Sequence, residues 1–383
     1  MAARARVPVG DAKRLVLEEV LRHGPLTRSD IARRLRMTNA RLSQVSTVLL
    51  ERGLLAETAQ TRSASAAGVG RPGRPLEVVP SLGQFVGIWL GETAVTSCLT
   101  NLRAEIVDTV ETRISSRAVA EVTAVIADQV ASLGAGRDTA RGIGVCLAGQ
   151  VGPDGFVRRA PFLDWHGVAL GPELERVTGI SVQVDNDLTG LTQAEHWFGV
   201  GKDHDQFAVL SLGAGIGLGI VAGDQRIDGP DAGLGLISHV PVSESGQLCQ
   251  QGHRGCARAM LSLGCVESAL SQGRGRPTSF EEGLALARNG EPVAGRVFQD
   301  AATALGRLLA LIANVALPRT IVVTGEAAGL ALGNRVQVER TFGEYRHALA
   351  QPVPLVIRTI DRRHWARGAA ARAIQQFAFR EQI

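Results

Sequence analysis

The sequence lacks a hydrophobic run long enough to span a bilayer. Its longest apolar stretch, Leu308 to Leu317, is interrupted by Asn314 and falls far short of the roughly 20 residues a spanning helix needs. Residues 1–14 lack an apolar segment too and carry arginines and an aspartate, so no secretory signal is read and a cytoplasmic address, with no membrane partner, is expected. A disulfide framework is also missing. The five cysteines, Cys98, Cys146, Cys249, Cys256 and Cys265, are an odd number in a long chain, which points to free thiols or metal ligands. What remains is a globular composition: 383 residues, 45% hydrophobic and 20% charged, predict two or three domains with real cores and exclude wholesale disorder.

The net charge of +4 conceals an asymmetry. Residues 1–75 hold Lys13 and thirteen arginines against six acidic residues, an excess of eight positive charges that leaves the remainder at −4. A small basic head on a slightly acidic body predicts that the head meets a polyanion.

Residues 11–56 read as three short helices. Lys13 to His23 places Leu15, Val16, Val20 and Leu21 at helical spacing, and Gly24-Pro25 ends it. Thr27 is a cap for a second helix, with Asp30 at its third position and Ile31, Ala32 and Leu35 as its apolar stripe. After a turn at Arg36-Met37, Thr38 is the cap of a third helix whose Leu42, Val45, Leu49 and Leu50 face inward. Asn39, Arg41, Ser43 and Gln44 are left outward at its start. That is the pattern of a helix-turn-helix, in which the start of the second helix of the pair meets base edges in the major groove. Thr38, Asn39, Arg41, Ser43 and Gln44 are therefore the candidate contacts to double-stranded DNA. Residues 55–79 read as a wing. Arg71 and Arg74, on the stiff Gly70-Arg71-Pro72-Gly73-Arg74-Pro75 segment, suit a narrow minor groove; a solvated linker is the alternative.

From Gln84 the texture changes to strands alternating with helices. Phe85–Leu90, Ala94–Leu99, Ile106–Thr112 and Gly142–Leu147 read as strands, and Ala118–Leu133 as an amphipathic helix. The pattern repeats from Phe207–Leu212 and Ile216–Val221, followed by a long apolar helix over Ala294–Leu317 and a strand at Thr320–Thr324. Two such α/β lobes resemble the actin-like ATPase architecture of sugar kinases, with a site between them.

Gly213-Ala214-Gly215-Ile216-Gly217-Leu218-Gly219 lies between two of these strands, where missing side chains let backbone approach a phosphate. Further on come His239, Cys249 and the run Gly252-His253-Arg254-Gly255-Cys256, a cluster of metal-ligand type. Together with the head, these features resemble the ROK family (repressors, open reading frames and kinases), specifically its regulators with an N-terminal winged helix. The resemblance spans essentially the whole chain and is most specific from Gly213 to Cys256. It implies an α/β fold: a two-lobed actin-like body behind a winged helix-turn-helix domain, divided as residues 1–79, 80–199 and 200–383.

In the family's kinases the first lobe opens with Asp-x-Gly-Gly-Thr, whose aspartate manages the metal and phosphates of ATP. The matching residues here are Trp89-Leu90-Gly91-Glu92-Thr93, and the later Gly-Gly pair that receives adenosine matches Gly325-Glu326. An indole for a carboxylate, and two acidic side chains for glycines, oppose phosphate by bulk and charge, so no ATP is expected and the Gly213 loop reads as an inherited turn. Asn186-Asp187 match the family's Asn-Asp pair, in which Asp187 would be the sugar-activating base; capping of a helix beginning near Leu188 is the alternative. The sugar-contacting asparagine after a proline matches Phe162, and two contacting glutamates match Leu236 and Arg258. The effector residues implied are Asn186, Asp187, His239 and Arg258. Arg258 would favour an anionic or partly apolar ligand unless it points to solvent.

For zinc the family uses a histidine and three cysteines in Cys-x-Cys-Gly-x-x-Gly-Cys. Here Cys249 and Cys256 remain, His239 supplies a third ligand, and Gln251 stands where the middle thiolate belongs. Zinc is retained if water or His253 completes the tetrahedron; two small buried cysteines beside a hydrogen-bonded histidine are the alternative. The expected protein is a kinase-inactive DNA-binding regulator, a repressor, working as a homodimer or larger homo-oligomer on an inverted-repeat operator. An active sugar kinase with a fused head, and a ligand-independent regulator whose body only dimerises, are the alternatives.

Overall fold

A computed structural model gives the fold and describes residues 9–58, 74–136, 138–229, 231 and 233–380. The head holds α1 (Val9–His23), α2 (Arg28–Leu35) and α3 (Asn39–Glu51). Both expected caps form: the Thr27 hydroxyl accepts from the Asp30 amide and the Thr38 hydroxyl from the Arg41 amide, each contributing about 1 kcal/mol. Arg36, at φ 52, ends α2 in the left-handed conformation and makes the turn. Val16, Val20, Ile31, Leu42 and Leu49 close the head's core, joined by Leu55 and Leu76 of the wing strands β1 (Leu55–Glu57) and β2 (Leu76–Val78), which pair antiparallel. Residues 59–73, with Arg71, lie outside the described residues.

The body repeats one plan twice. Its first five-stranded sheet runs Val182–Asn186, Ala140–Leu147, Gln84–Leu90, Ala94–Thr100, Ile106–Arg113 in spatial order; the first three strands are parallel and the last two antiparallel. The second places Phe207–Leu212 between the antiparallel strand Ile216–Ala222 and the parallel strand Ile321–Thr324, with Gln225–Arg226 and Leu355–Ile357 at its edges. The helix Pro292–Ala316 buries Phe298, Leu305, Leu308 and Leu309 against this second sheet, as its apolar spacing predicts, while Val315 and Leu317 at its end stay exposed.

The C-terminal helix, Arg362–Arg380, departs from the division at residue 200: it packs mainly on the first sheet, and only Trp365 near its start joins Phe207, Val209 and Val322 of the second. Its small residues explain this. Gly87 and Gly144, on adjacent strands, present bare backbone to Ala366, Ala369 and Ala370, and any side chain at either glycine would collide with the helix. The same helix reaches the head, with Ile374 and Ala378 in one cluster with Val16, Val20 and Phe85. Among the described residues no helix is long and apolar enough to cross a membrane.

Candidate functional site

The head presents Thr38, Asn39, Ser43 and Gln44 on its exposed surface at the start of α3, with Arg41 half-buried beside them. Leu42, Val45 and Leu49 on the opposite face hold that helix in the core, so its polar side is fixed outward. Arg74, exposed at the return of the wing, lies 3.7 Å from Glu57. Glu57 also pairs with Arg28 at 2.9 Å, and Arg28 reaches Ser46 of α3 at 3.4 Å, so the wing root is tied to the recognition helix.

Where the resemblance would place a nucleotide, side chains of the chain stand against its glycines. The Trp89 indole folds back over Gly91, where an added Cβ would stand 2.5 Å from the ring edge, and Arg362 lies 5.8 Å from the ring centroid. Glu92 turns away to Arg117 at 2.7 Å. Glu326, though exposed, lies over the loop: one carboxylate oxygen is 2.5 Å from where a Cβ on Gly213 would stand, and the other accepts from Trp365 Nε1 at 3.1 Å. The glycine loop thus faces a carboxylate of the chain itself. Asp187 feels this charge. Burial first, then the Glu326 carboxylate, push its carboxyl up to about 6, against the Leu188 N–H that it accepts at 2.8 Å. Neither the reach of Glu326 to Gly213 nor its Trp365 partner, 39 residues away, is visible from spacing.

Asn186 caps the helix Asp187–Phe198, its Oδ1 accepting from Leu188 N at 3.0 Å and its Nδ2 donating to the Gly149 carbonyl at 2.9 Å. Both ends of its amide are engaged by the protein, which is the capping alternative. Arg258 is half-buried on the short helix Ala257–Leu261; its carbonyl accepts from the Ser262 hydroxyl at 2.8 Å, and its guanidinium makes no hydrogen bond or ion pair with a described residue. Leu236 is 65% exposed, and Phe162 is half-buried.

The knuckle brings four donors together: His239, Cys249, His253 and Cys256 place one ligand atom each within 4.8 Å of one another. Cys249 Sγ lies 3.7 Å from Nδ1 of both His239 and His253, and those two nitrogens are 3.1 Å apart. A tetrahedral zinc roughly 2.0 Å from nitrogen and 2.3 Å from sulfur sets its ligand atoms roughly 3.3 to 3.8 Å apart; the His239, Cys249 and His253 separations lie close to that range, and Cys256 stands within 4.8 Å of them, so the donor types suit zinc with a small closing of the cluster. Burial raises the Cys249 thiol, but the Gln251 and His253 amides that point at it, with the charge of Arg258, bring its pKa below the ordinary value. Gln251 itself is exposed.

Comparison with known proteins places these features. The description "ROK family" matches residues 85–375. The glucokinase of Thermotoga maritima is 38% identical over 134 residues, 34% of this chain and 42% of that enzyme, so the chain spans less than half of that relative. The xylose repressor of Bacillus subtilis is 23% identical over 317 residues, 81% of each chain. The solved structure of a ROK family transcriptional regulator, a homolog of the E. coli MLC protein, covers 97% of this chain and 96% of its own with a TM-score of 0.80 at 24% identity, a likeness of fold. With a glycine loop, a His/Cys knuckle and two matching lobes inside the aligned span, the chain belongs to the ROK family.

Proposed function

We propose that this protein is a DNA-binding transcriptional regulator, a repressor, that has no kinase activity. The observation that carries the reading is a helix-turn-helix on a ROK body whose phosphate-facing loop is covered by the protein's own Glu326. The likeness in sequence to a xylose repressor over 81% of the chain supports it. Asn39, Ser43 and Gln44, with Thr38 and Arg41, read base edges; Arg74 and Arg71 enter the adjacent minor groove. One winged helix buries little surface, so a homodimer offers two heads to an inverted repeat. Such a regulator works in the cytoplasm, where its DNA lies. Residues 1–79 form the DNA-binding unit, and 80–199 and 200–383 the lobes, with Arg362–Arg380 returned to the first.

Zinc is held by His239, Cys249, His253 and Cys256, where it would tie the Leu236–His239 turn to the segment entering the helix Ala257–Leu261. Any effector is anionic or partly apolar, such as a sugar acid or sugar phosphate. Arg258 pairs with its charge and Asp187 accepts its hydroxyls; Asn186, implied with Asp187 and His239 as a reader of hydroxyls, caps the helix that presents Asp187, and His239 is engaged at the zinc.

The test is selection of bound sequences from random DNA, followed by affinity measurement on the selected operator. Arg41→Ala is expected to lose about 1 to 3 kcal/mol of discrimination at one base position, whereas Arg74→Ala weakens binding to most sequences and flattens the salt dependence. Wild-type affinity in both variants contradicts the reading.

A further inference from the structure

The head does not hang free of the body, and one carboxylate of the second lobe connects to both the head and the first lobe at the seam. Arg22, at the end of α1, has a side chain only 5% exposed. Its guanidinium meets Asp224 at 2.8 Å, the Lys202 carbonyl at 3.2 Å and Glu18 at 3.6 Å, while its Nε has no partner. Asp224 belongs to the second sheet, in the turn between Ile216–Ala222 and Gln225–Arg226. Its other oxygen lies 3.0 Å from Nε2 of His196, which is buried on the helix that follows the last strand of the first sheet. Head, first lobe and second lobe thus meet on a single side chain.

Both body elements at this junction begin at the cleft. The helix Asp187–Phe198 starts with Asp187 and carries His196 near its far end. The strand Ile216–Ala222 starts at the glycine loop that faces Glu326 and ends at the Asp224 turn. Between the two ends the helix lies on bare backbone: a Cβ at Gly217 would meet Leu188 at 3.0 Å, and one at Gly219 would collide with Thr192. A helix resting on glycines can shift along a strand without side chains having to interdigitate afresh. Any shift between the lobes changes the His196–Asp224 separation and, through Arg22, the seat of α1.

We propose that Asp224 is the coupling point through which the relative position of the two lobes sets the position of the head. Arg22 is buried and makes both of these hydrogen bonds across the seam, so losing Asp224 leaves the cation with only the more distant Glu18 of its own helix as counter-charge and favours release of α1. A ligand that binds one lobe arrangement better than the other therefore also selects a head position. The inference does not depend on DNA binding, because docking of the head can be read without DNA.

The experiment is amide hydrogen exchange on the full chain in three single variants and one double. Asp224 sits at φ 64, a left-handed conformation that asparagine tolerates well, so Asp224→Asn removes the charge and keeps the turn. Asp224→Asn and Arg22→Gln should each raise exchange across residues 9–23 about tenfold, with the sheet amides unchanged, and the double variant should add nothing further. His196→Asn should raise the same exchange by a smaller factor by untying the turn from the first lobe. Wild-type exchange in α1 for either Asp224→Asn or Arg22→Gln, or additive effects in the double variant, overturns the coupling. Wild-type exchange in His196→Asn removes the first lobe from it and overturns the proposal as stated.

Discussion

Two sites in this body have departed from the family pattern in opposite ways. At the knuckle a lost thiolate has a substitute: Gln251 faces solvent where a cysteine belongs, and His253, two residues on, brings its Nδ1 to 3.7 Å from Cys249. At the nucleotide cleft nothing substitutes. Trp89 closes over Gly91, and Glu326 lies against Gly213. The two functions make different demands. A metal needs four donors within a few ångströms, and any neighbouring side chain of suitable chemistry can supply one. A phosphate site needs empty space lined by backbone N–H groups, which added side chains can only remove.

The largest expected effect is at the knuckle. Cys256→Ala should take zinc from one per chain to none by elemental analysis, and should lower Tm by roughly 5 °C or more. His253→Ala should weaken zinc binding at least about tenfold, measured by competition with a chromogenic chelator. Adding Gln251→Cys to that variant should restore the affinity by returning the thiolate. Zinc bound equally well by wild type and His253→Ala would show that His253 is not the substitute, and would break the contrast between the sites.

How far the sequence alone leads follows the same division. Thr27 and Thr38 announced their caps, and the apolar spacing of Ile31, Leu42, Val45 and Leu49 placed the head's core, because helix signals are local. The strands from Gln84 to Leu90 and from Ile321 to Thr324 were legible as short apolar runs. The knuckle was legible because its donors lie within eighteen residues and follow a motif, with His253 inside it. Glu326 was read as a blocking charge, but its hydrogen bond to Trp365 and its reach to Gly213 join segments far apart in the chain. A division by order in the chain puts residues 362–380 with the second lobe, whereas their alanine face matches Gly87 and Gly144 of the first sheet. The Arg22–Asp224 contact spans 202 positions and has no local signature at all.

A smaller effect tests the crowding of charge in the filled cleft. Asp187 is pushed up to about 6 by burial and by Glu326, above an ordinary value of about 4. Between those two values the folded chain holds a proton that the unfolded chain has released, so stability falls as pH rises through that window. Asp187→Asn should therefore be more stable than wild type at pH 7 by up to about 2 kcal/mol in urea unfolding, with the gain vanishing below about pH 4. Glu326→Gln should recover part of that gain by removing the second contribution. An Asp187→Asn variant no more stable than wild type at pH 7 would mean the cleft relieves the charge in another way.

The smallest expected effect is the absence of one. A ligand that binds only the folded state stabilises it by RT ln(1 + [L]/Kd), so 5 mM magnesium-ATP against a Kd of about 10 mM or weaker adds about 0.2 kcal/mol or less. In a body of this size that is under about 1 °C in Tm. Wild type should show no larger shift, and no phosphate transfer to any hexose, because the Gly213 loop already faces a carboxylate and the Trp89 ring lies over Gly91. Trp89→Asp, Glu92→Gly and Glu326→Gly made together reopen the volume, withdraw two negative charges and return one at the position of Trp89. If side chains alone close the cleft, that triple variant should shift in Tm with magnesium-ATP while wild type does not. A clear nucleotide shift in wild type would mean that Glu326 moves aside, and the cleft would then have to be counted with the knuckle, as a site that its substitutions have altered and not abolished.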